Sequence, residues 1–348
     1  MVDYATMAAH PGTLRLVYFA CWFFLVQGSA LLAGGIEPAA AVKPPAADAG
    51  VDADADALFD RATDIVREAR TDPRREREAI PLFLRAAEAG HLQAMYELYW
   101  LYEDVSSGDG EETRRRDGEQ AALWLRKAAE GGHLRATFSY GIQFAFKGDV
   151  ATAEKWLLPT ARKGDKDAMR ALGLMYVGQM NSVPRNKIDI ARGLSWLRRA
   201  GDNFDGSALY TLGMLHFQGQ NGVAKDDALA FEYLARGART GSTLCMLPLA
   251  MCYADGVGVA ADPAEAFKWT RIAAEMPGRP DAEACAQLAA MYDVGAGTPK
   301  DKRQAERWYR KAAEAGDERA KLRLAQPDMR HAAANPAASG AKESGGAK

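Results

Sequence analysis

Apolar and polar positions along this chain follow a helical period that breaks and restarts every few dozen residues. Residues 284–320 show it most clearly. Ala284–Val294 is apolar on most sides and ends in Gly295-Ala296-Gly297 with Pro299 close behind, chemistry that stops a helix and turns the chain. From Lys302 to Ala315 the helical period returns, with Ala305, Trp308 and Ala312 on one face, and Gly316 ends it. Two helices this short cannot bury both apolar faces against each other, so the pair requires neighbours built the same way.

The register recurs. Taking the residue that opens each first helix as zero, Ala284 is followed by Ala289 at +5, Tyr292 at +8 and Gly295 at +11. Cys245, Ala250, Tyr253 and Gly256 keep those offsets, as do Ala208, Gly213, His216 and Gly219. Ala168, Gly173 and Tyr176 keep them with Gly178 slightly early, and Ala136, Gly141 and Phe144 with Gly148 one place late. Ala94, Tyr99 and Tyr102 give a weaker first copy. Each second helix carries a large residue twelve before the next opening position: Leu82, Trp124, Trp156, Trp196, Tyr233 and Trp308, with Trp269 displaced by a stretched connection. Anchors roughly 32–42 residues apart are the spacing of helix-pair solenoids. Recurrence once per unit assigns these tryptophans, and the first-helix tyrosines, to shared packing.

The residues that carry this register, LAAMYDVGAG with AERWYRKAAEAG at 288–316, LAMCYADGVGV with AEAFKWTRIAAE at 249–275, and ALWLRKAAEGG at 122–132, resemble the Sel-one-like repeat family, relatives of the tetratricopeptide repeats. The resemblance spans about 58–325 and departs at QMNSVPRN and at Lys147–Ala151, where a loop is nearly missing. It implies an all-α, right-handed α-solenoid of stacked antiparallel helix pairs, about six to seven units. It also implies binding of a protein or peptide partner. Some exported relatives resemble penicillin-binding enzymes and carry a disulfide in every repeat, and others serve polysaccharide synthesis or export. This chain lacks those cysteines.

Composition adds little to the fold and more to the setting. A net charge of −2 without a basic stripe argues against nucleic acid as a partner, and four cysteines are too few for a disulfide framework. Residues 1–36 stand apart: LRLVYFACWFFLV at 14–26, followed by Gly28, Ala30 and Ala33-Gly34-Gly35, reads as a secretory signal, or as an uncleaved anchor reaching Leu31-Leu32. The expected place is therefore the periplasm, free or attached to the inner membrane through this segment. Residues 37–57, rich in Pro, Ala and Asp, read as a linker, and 326–348 as a disordered tail. Asp52, Asp54 and Asp56 alternate as in a calcium loop but lack its glycine and closing glutamate. The first helix pair is expected over Leu58–Arg70 and Arg74–Ala89 as an N-terminal cap, and EDVSSGDGEETRRRDG at 103–118 as a solvated loop.

No catalytic set emerges, and no cofactor or metal is expected. HExxH and zinc spacings do not occur. His216 takes a tyrosine place in its unit, while His91 and His133 follow helix-ending glycines as turn residues. Cys245 and Cys252 lie about 10 Å apart along one helix, and Cys285 stands beside Cys245 in the stack, so the three read as buried thiols. The Ser-x-x-Lys at Ser339 falls in the tail without a Lys-Thr-Gly partner. GVGVAAD at 256–262 follows no strand and is a repeat loop.

What remains is surface. If first helices line the concave side, positions −1, +2, +6 and +9 face a groove whose middle is apolar and aromatic. Tyr96, Trp100, Phe138, Arg170, Tyr210, Met214, Phe217 and Met251 are the candidate partner-binding residues. Tight superhelical winding would instead bury the same residues as core. The functional expectation is a non-catalytic scaffold, adaptor or regulator of a cell-envelope complex. The alternatives are an envelope enzyme acting on peptidoglycan or β-lactams, and an accessory of polysaccharide synthesis or export.

Overall fold

The computed structural model describes residues 53–69, 76–104, 111–180, 182–277 and 281–326. The expectations for residues 1–36 and for the tail beyond Gln326 lie outside the described residues. Among the described residues there are helices and turns and no strand. The helices pair in order: α1 (Ala53–Ala69) with α2 (Ile80–Glu88), α3 (Leu92–Asp104) with α4 (Glu111–Glu130), α5 (Leu134–Phe146) with α6 (Val150–Arg162), and α7 (Lys166–Tyr176) with α8 (Ile190–Asp202). Then come α9 (Gly206–Gln218) with α10 (Asp227–Arg239), α11 (Thr243–Asp255) with α12 (Pro263–Glu275), and α13 (Ala282–Val294) with α14 (Lys302–Glu314). A short α15 (Glu318–Leu324) covers the open face of α14. Each helix packs on the one before and the one after, so the molecule is a one-dimensional stack, an all-α solenoid.

The offsets seen in the sequence have steric causes. At +5, the first helix comes so close to the second that a methyl group on Gly173 would sit 2.5 Å from Cγ of Leu197, and on Gly213 2.8 Å from Cγ of Leu234. These leucines follow the large second-helix residue and are fully buried, as are Leu125 and Leu157; each such burial is worth about 1.5–3 kcal/mol. Trp124, Trp196, Tyr233 and Trp308 are buried, and Trp156 and Trp269 are half-buried. Where a basic residue stands three places on, its cation lies over the indole, as Lys127 does over Trp124 (4.2 Å) and Lys311 over Trp308 (4.0 Å). The +8 aromatics reach back to the preceding unit: Tyr253 meets Phe231 and Tyr292 meets Phe267, both edge-to-face.

Two boundaries differ from expectation. Helix α1 begins at Ala53, inside the stretch read as linker. Ala55 is fully buried, and Asp54 and Asp56 sit in the first helical turn, where carboxylates favour the dipole, with Asp56 also 3.4 Å from His91. The insertion read as a loop over 103–118 is helical from Glu111 onward. Good helix formers there extend α4, supported by an Arg115–Glu119 pair one turn apart (2.8 Å), and by Asp117, which is buried and accepts from Arg77 (3.4 Å).

Candidate functional site

First helices of neighbouring units touch each other directly where α5 meets α7 and α9 meets α11, while the second helices α8 and α10 meet through long side chains, Arg198 with Tyr233 (3.2 Å) and Arg236 with Asp202 (2.8 Å). The first helices therefore follow one another along one side of the stack, the side that carries the candidate residues.

Capping fixes how each first helix enters. Three places before five of the six opening residues stands a side chain that accepts the orphan amide of that residue: His91 Nδ1 from Ala94 (3.0 Å), His133 Nδ1 from Ala136 (3.2 Å), Asp165 from Ala168 (2.7 Å), Asp205 from Ala208 (2.8 Å) and Asp281 from Ala284 (3.1 Å). Before Cys245 the place is held by Ser242, which makes no side-chain cap bond. His91 and His133 are thus helix caps, a specific form of the turn role expected of them. Ring nitrogen Nε2 of His133 pairs with the Gln93 side-chain oxygen (2.8 Å). Burial, Arg135 and His91 together lower the pKa of His133.

The +2 row turns out to serve the stack. Tyr96 is 7% exposed, its ring 4.8 Å from that of His133, the cap of the next unit, and its hydroxyl 3.4 Å from Ser139. Arg170 holds the next unit's cap in the same way: it donates to Asp205 (2.7 Å) and to Asp167 (2.6 Å). Tyr96 and Arg170, expected among the partner-binding residues, thus also serve the junction between units, Tyr96 buried and Arg170 half-buried there. Phe138 and Tyr210, also at +2, are half-buried against the core.

The +6 row is the open one. Trp100 is 49% exposed, edge-on to Tyr96 (6.2 Å) and tilted on Tyr99 (5.0 Å). Burial, with the Glu103 charge behind it, pushes the Tyr99 hydroxyl up to about 12. Ile142, Leu174, Met214, Met251 and Ala290 continue the row, each half-buried, and Phe217 at +9 is half-buried beside Met214. The structure thus brings Trp100, Met214, Phe217 and Met251 onto one face along with Ile142 and Leu174.

Groups with chemical potential are committed elsewhere. Cys245, Cys252 and Cys285 are free and buried, and burial pushes the thiols of Cys245 and Cys252 up to about 11. His216 is stacked on Tyr233 at 5.9 Å, with Nδ1 3.3 Å from the Ala224 carbonyl. A shallow pocket between Arg77, Ile80, Tyr102, Arg116 and Asp117 contains the Arg77–Asp117 ion pair. No cluster of metal-ligating side chains occurs among the described residues. The cap row is what sequence reasoning missed, although an Asp or His three places before every opening residue but Cys245, where Ser242 stands, was there to be seen.

Comparison with known proteins agrees with this architecture. The family model described as "Sel1 repeat" matches residues 72–91, 106–133, 166–203, 206–242, 244–277 and 282–317, more than half of the chain. It leaves out α5 and α6, the pair with almost no loop, which nevertheless pack as the others do. The chain is similar in structure to a Sel1 repeat protein from Oxalobacter formigenes, with 24% identity over 74% of this chain and 96% of that one and a TM-score of 0.52. It is also similar to c5321, a protective antigen of uropathogenic Escherichia coli strains displaying an SLR fold, with 25% identity over 80% of this chain and 67% of that one and a TM-score of 0.51. Members of this family are in general protein–protein interaction scaffolds. With its register, its paired helices and its matched repeats in agreement, the chain belongs to the Sel1 repeat family.

Proposed function

We propose that this protein is a non-catalytic adaptor of a cell-envelope complex, exported by its N-terminal segment, which takes an apolar segment of a partner protein along its concave face. The observation that carries the reading is the +6 row, where Trp100, Ile142, Leu174, Met214 and Met251 share the face lined by the first helices and are left partly open. Support for a non-catalytic role comes from what the polar groups already do. Asp165, Asp205 and Asp281 cap helices, Asp117 and Asp293 sit in ion pairs, and the three described thiols are buried.

Two experiments test it. Alkaline phosphatase fused after Pro45, ahead of α1, is expected to be active in a bacterial host, in the soluble periplasmic fraction or in the membrane fraction. An inactive fusion would move the protein to the cytoplasm. For the binding face, Trp100→Ala and Met214→Ala are expected to abolish capture of the envelope partner without changing the melting temperature. Full capture by both variants would remove the concave face from the account.

A further inference from the structure

A second surface lies at the edge of the stack where second helices turn into the next unit. In five of these turns the residue in the left-handed conformation is glycine, at Gly90, Gly132, Gly164, Gly241 and Gly316, with φ between +88° and +103°. At each of these five, a side chain would meet nothing within 4 Å. The turn between α8 and α9 has Phe204 in that place, with φ +60°. Left-handed backbone disfavours any side chain with a Cβ, a large aromatic included. No contact repays it, because Phe204 is 75% exposed.

The turns on either side lie against this one. The Asn203 side-chain amide is 3.8 Å from Met169 Sδ in α7, Arg170 reaches Asp205, Arg236 reaches Asp202 (2.8 Å), and Gly206 abuts Ser242. Together they place Arg162, Lys163 and Lys166 on one flank of Phe204, and Arg239 and the exposed Leu244 on the other. The four basic side chains are exposed and have no carboxylate partner among the described residues. The nearby carboxylates are occupied: Asp165 and Asp205 as caps, Asp167 by Arg170, and Asp202 by Arg236.

Basic residues at a helix C-terminus ordinarily complement the dipole. That does not account for this set, because the places of Arg162 and Arg239 are filled by Glu88, Glu130, Glu275 and Glu314 at four of the other helix ends. The sign reverses only on the turns that flank Phe204.

We propose that this edge docks on an anionic phospholipid surface, with Phe204 inserted at headgroup depth and Arg162, Lys163, Lys166 and Arg239 on the lipid charges. Charge complementarity requires an anionic partner, worth about one fivefold factor in affinity per basic side chain. Shape selects a bilayer over an acidic peptide. Peptides are held in grooves, whereas Phe204 stands out from an edge, three-quarters exposed, the arrangement that suits a soft interface receiving aromatic rings. This surface is distinct from both the concave face and the N-terminal apolar segment.

The test uses the full chain with Cys21→Ser and an environment-sensitive fluorophore on Thr240→Cys, in the turn beside Phe204, so that attachment through the N-terminus alone leaves the signal unmoved. Vesicles of phosphatidylglycerol and phosphatidylcholine are expected to raise and blue-shift the emission, and vesicles of phosphatidylcholine alone are not. Arg162→Ala and Arg239→Ala should each raise the vesicle concentration at half-response about fivefold. Phe204→Gly should weaken the response about tenfold while melting at an equal or higher temperature, a combination that a merely structural role does not give. No response to anionic vesicles, an equal response to neutral ones, or unchanged binding by Phe204→Gly would overturn the proposal. A response to polyglutamate but not to vesicles would assign the edge to an acidic protein segment and overturn it equally.

Discussion

Arg170 in α7 grips Asp205, the residue that caps α9 in the following unit, through a 2.7 Å hydrogen bond, while the other carboxylate oxygen of Asp205 accepts the Ala208 amide at 2.8 Å. Asp205 is 3% exposed. One carboxylate therefore starts a helix and joins two repeats. In a stack where each unit meets only its neighbours, such a junction decides whether unfolding is shared.

Asp205→Ala removes a cap worth about 1 kcal/mol and leaves Arg170 without its inner partner. The expected loss is about 2–3 kcal/mol in urea unfolding, below the range for a fully buried pair because Arg170 is partly open to solvent. Arg170→Ala should cost a similar amount, since it strands a buried carboxylate. The double variant should cost clearly less than the sum, and strict additivity would show that the two side chains are not coupled.

His133 gives the second unit a sensitivity to acid. Its Nδ1 accepts the Ala136 amide and is therefore unprotonated in the fold, and burial with Arg135 nearby lowers its pKa. A base whose folded pKa is depressed binds fewer protons in the fold than in the unfolded chain. Its contribution is present above the ordinary histidine range, near 6.5, and is lost as pH falls through the lower folded value. Stability is expected to drop below about pH 6, and His133→Asp, which copies the cap used by other units, should remove that part of the drop. An identical acid profile for His133→Asp would contradict the cap role.

The buried thiols act at the other end of the scale. Cys245 and Cys252 are held up at about 11 against an ordinary 9.0. Between those values the unfolded chain gives up protons that the fold keeps, so stability falls as pH rises from 9 toward 11. Cys245→Ala and Cys252→Ala should each lessen that fall, visible as a flatter urea midpoint against pH. In the native state near neutral pH the solenoid thiols should react with a thiol reagent only at the rate of unfolding. Rapid reaction of all three would mean that the stack is looser than its packing implies.

Periodicity made the fold legible because each repeat sets the same demands: a small residue where helices nearly touch, as at Gly173 against Leu197, and a large one where they part, as at Trp196. The offsets could be counted without knowing the structure. The start of α1 at Ala53 could not, because alanines and aspartates suit a linker and a helix equally, and only the burial of Ala55 against the next helix decides. The same holds for Glu111–Gly118, where charge suggested a solvated loop and the backbone is helical instead. On the first helices, sequence placed +2 and +6 on one side, which is true of an isolated helix. Neighbours split them: Tyr96 and Arg170 turn toward the next unit's cap, and Trp100 and Met214 remain open. Contacts between units, set by the pitch of the stack, carry that information, and the spacing within one unit does not.

The central claim is that partners bind on the first-helix face, and site-specific photocrosslinking in cells tests it most directly. A photoreactive residue is placed at Trp100 or Met214 on that face, and at Lys155 or Glu232, which are exposed on second helices. Positions 100 and 214 are expected to crosslink to one and the same protein, and 155 and 232 are not. Crosslinks from 155 and 232 with none from 100 and 214 would place the partner on the opposite side and contradict it.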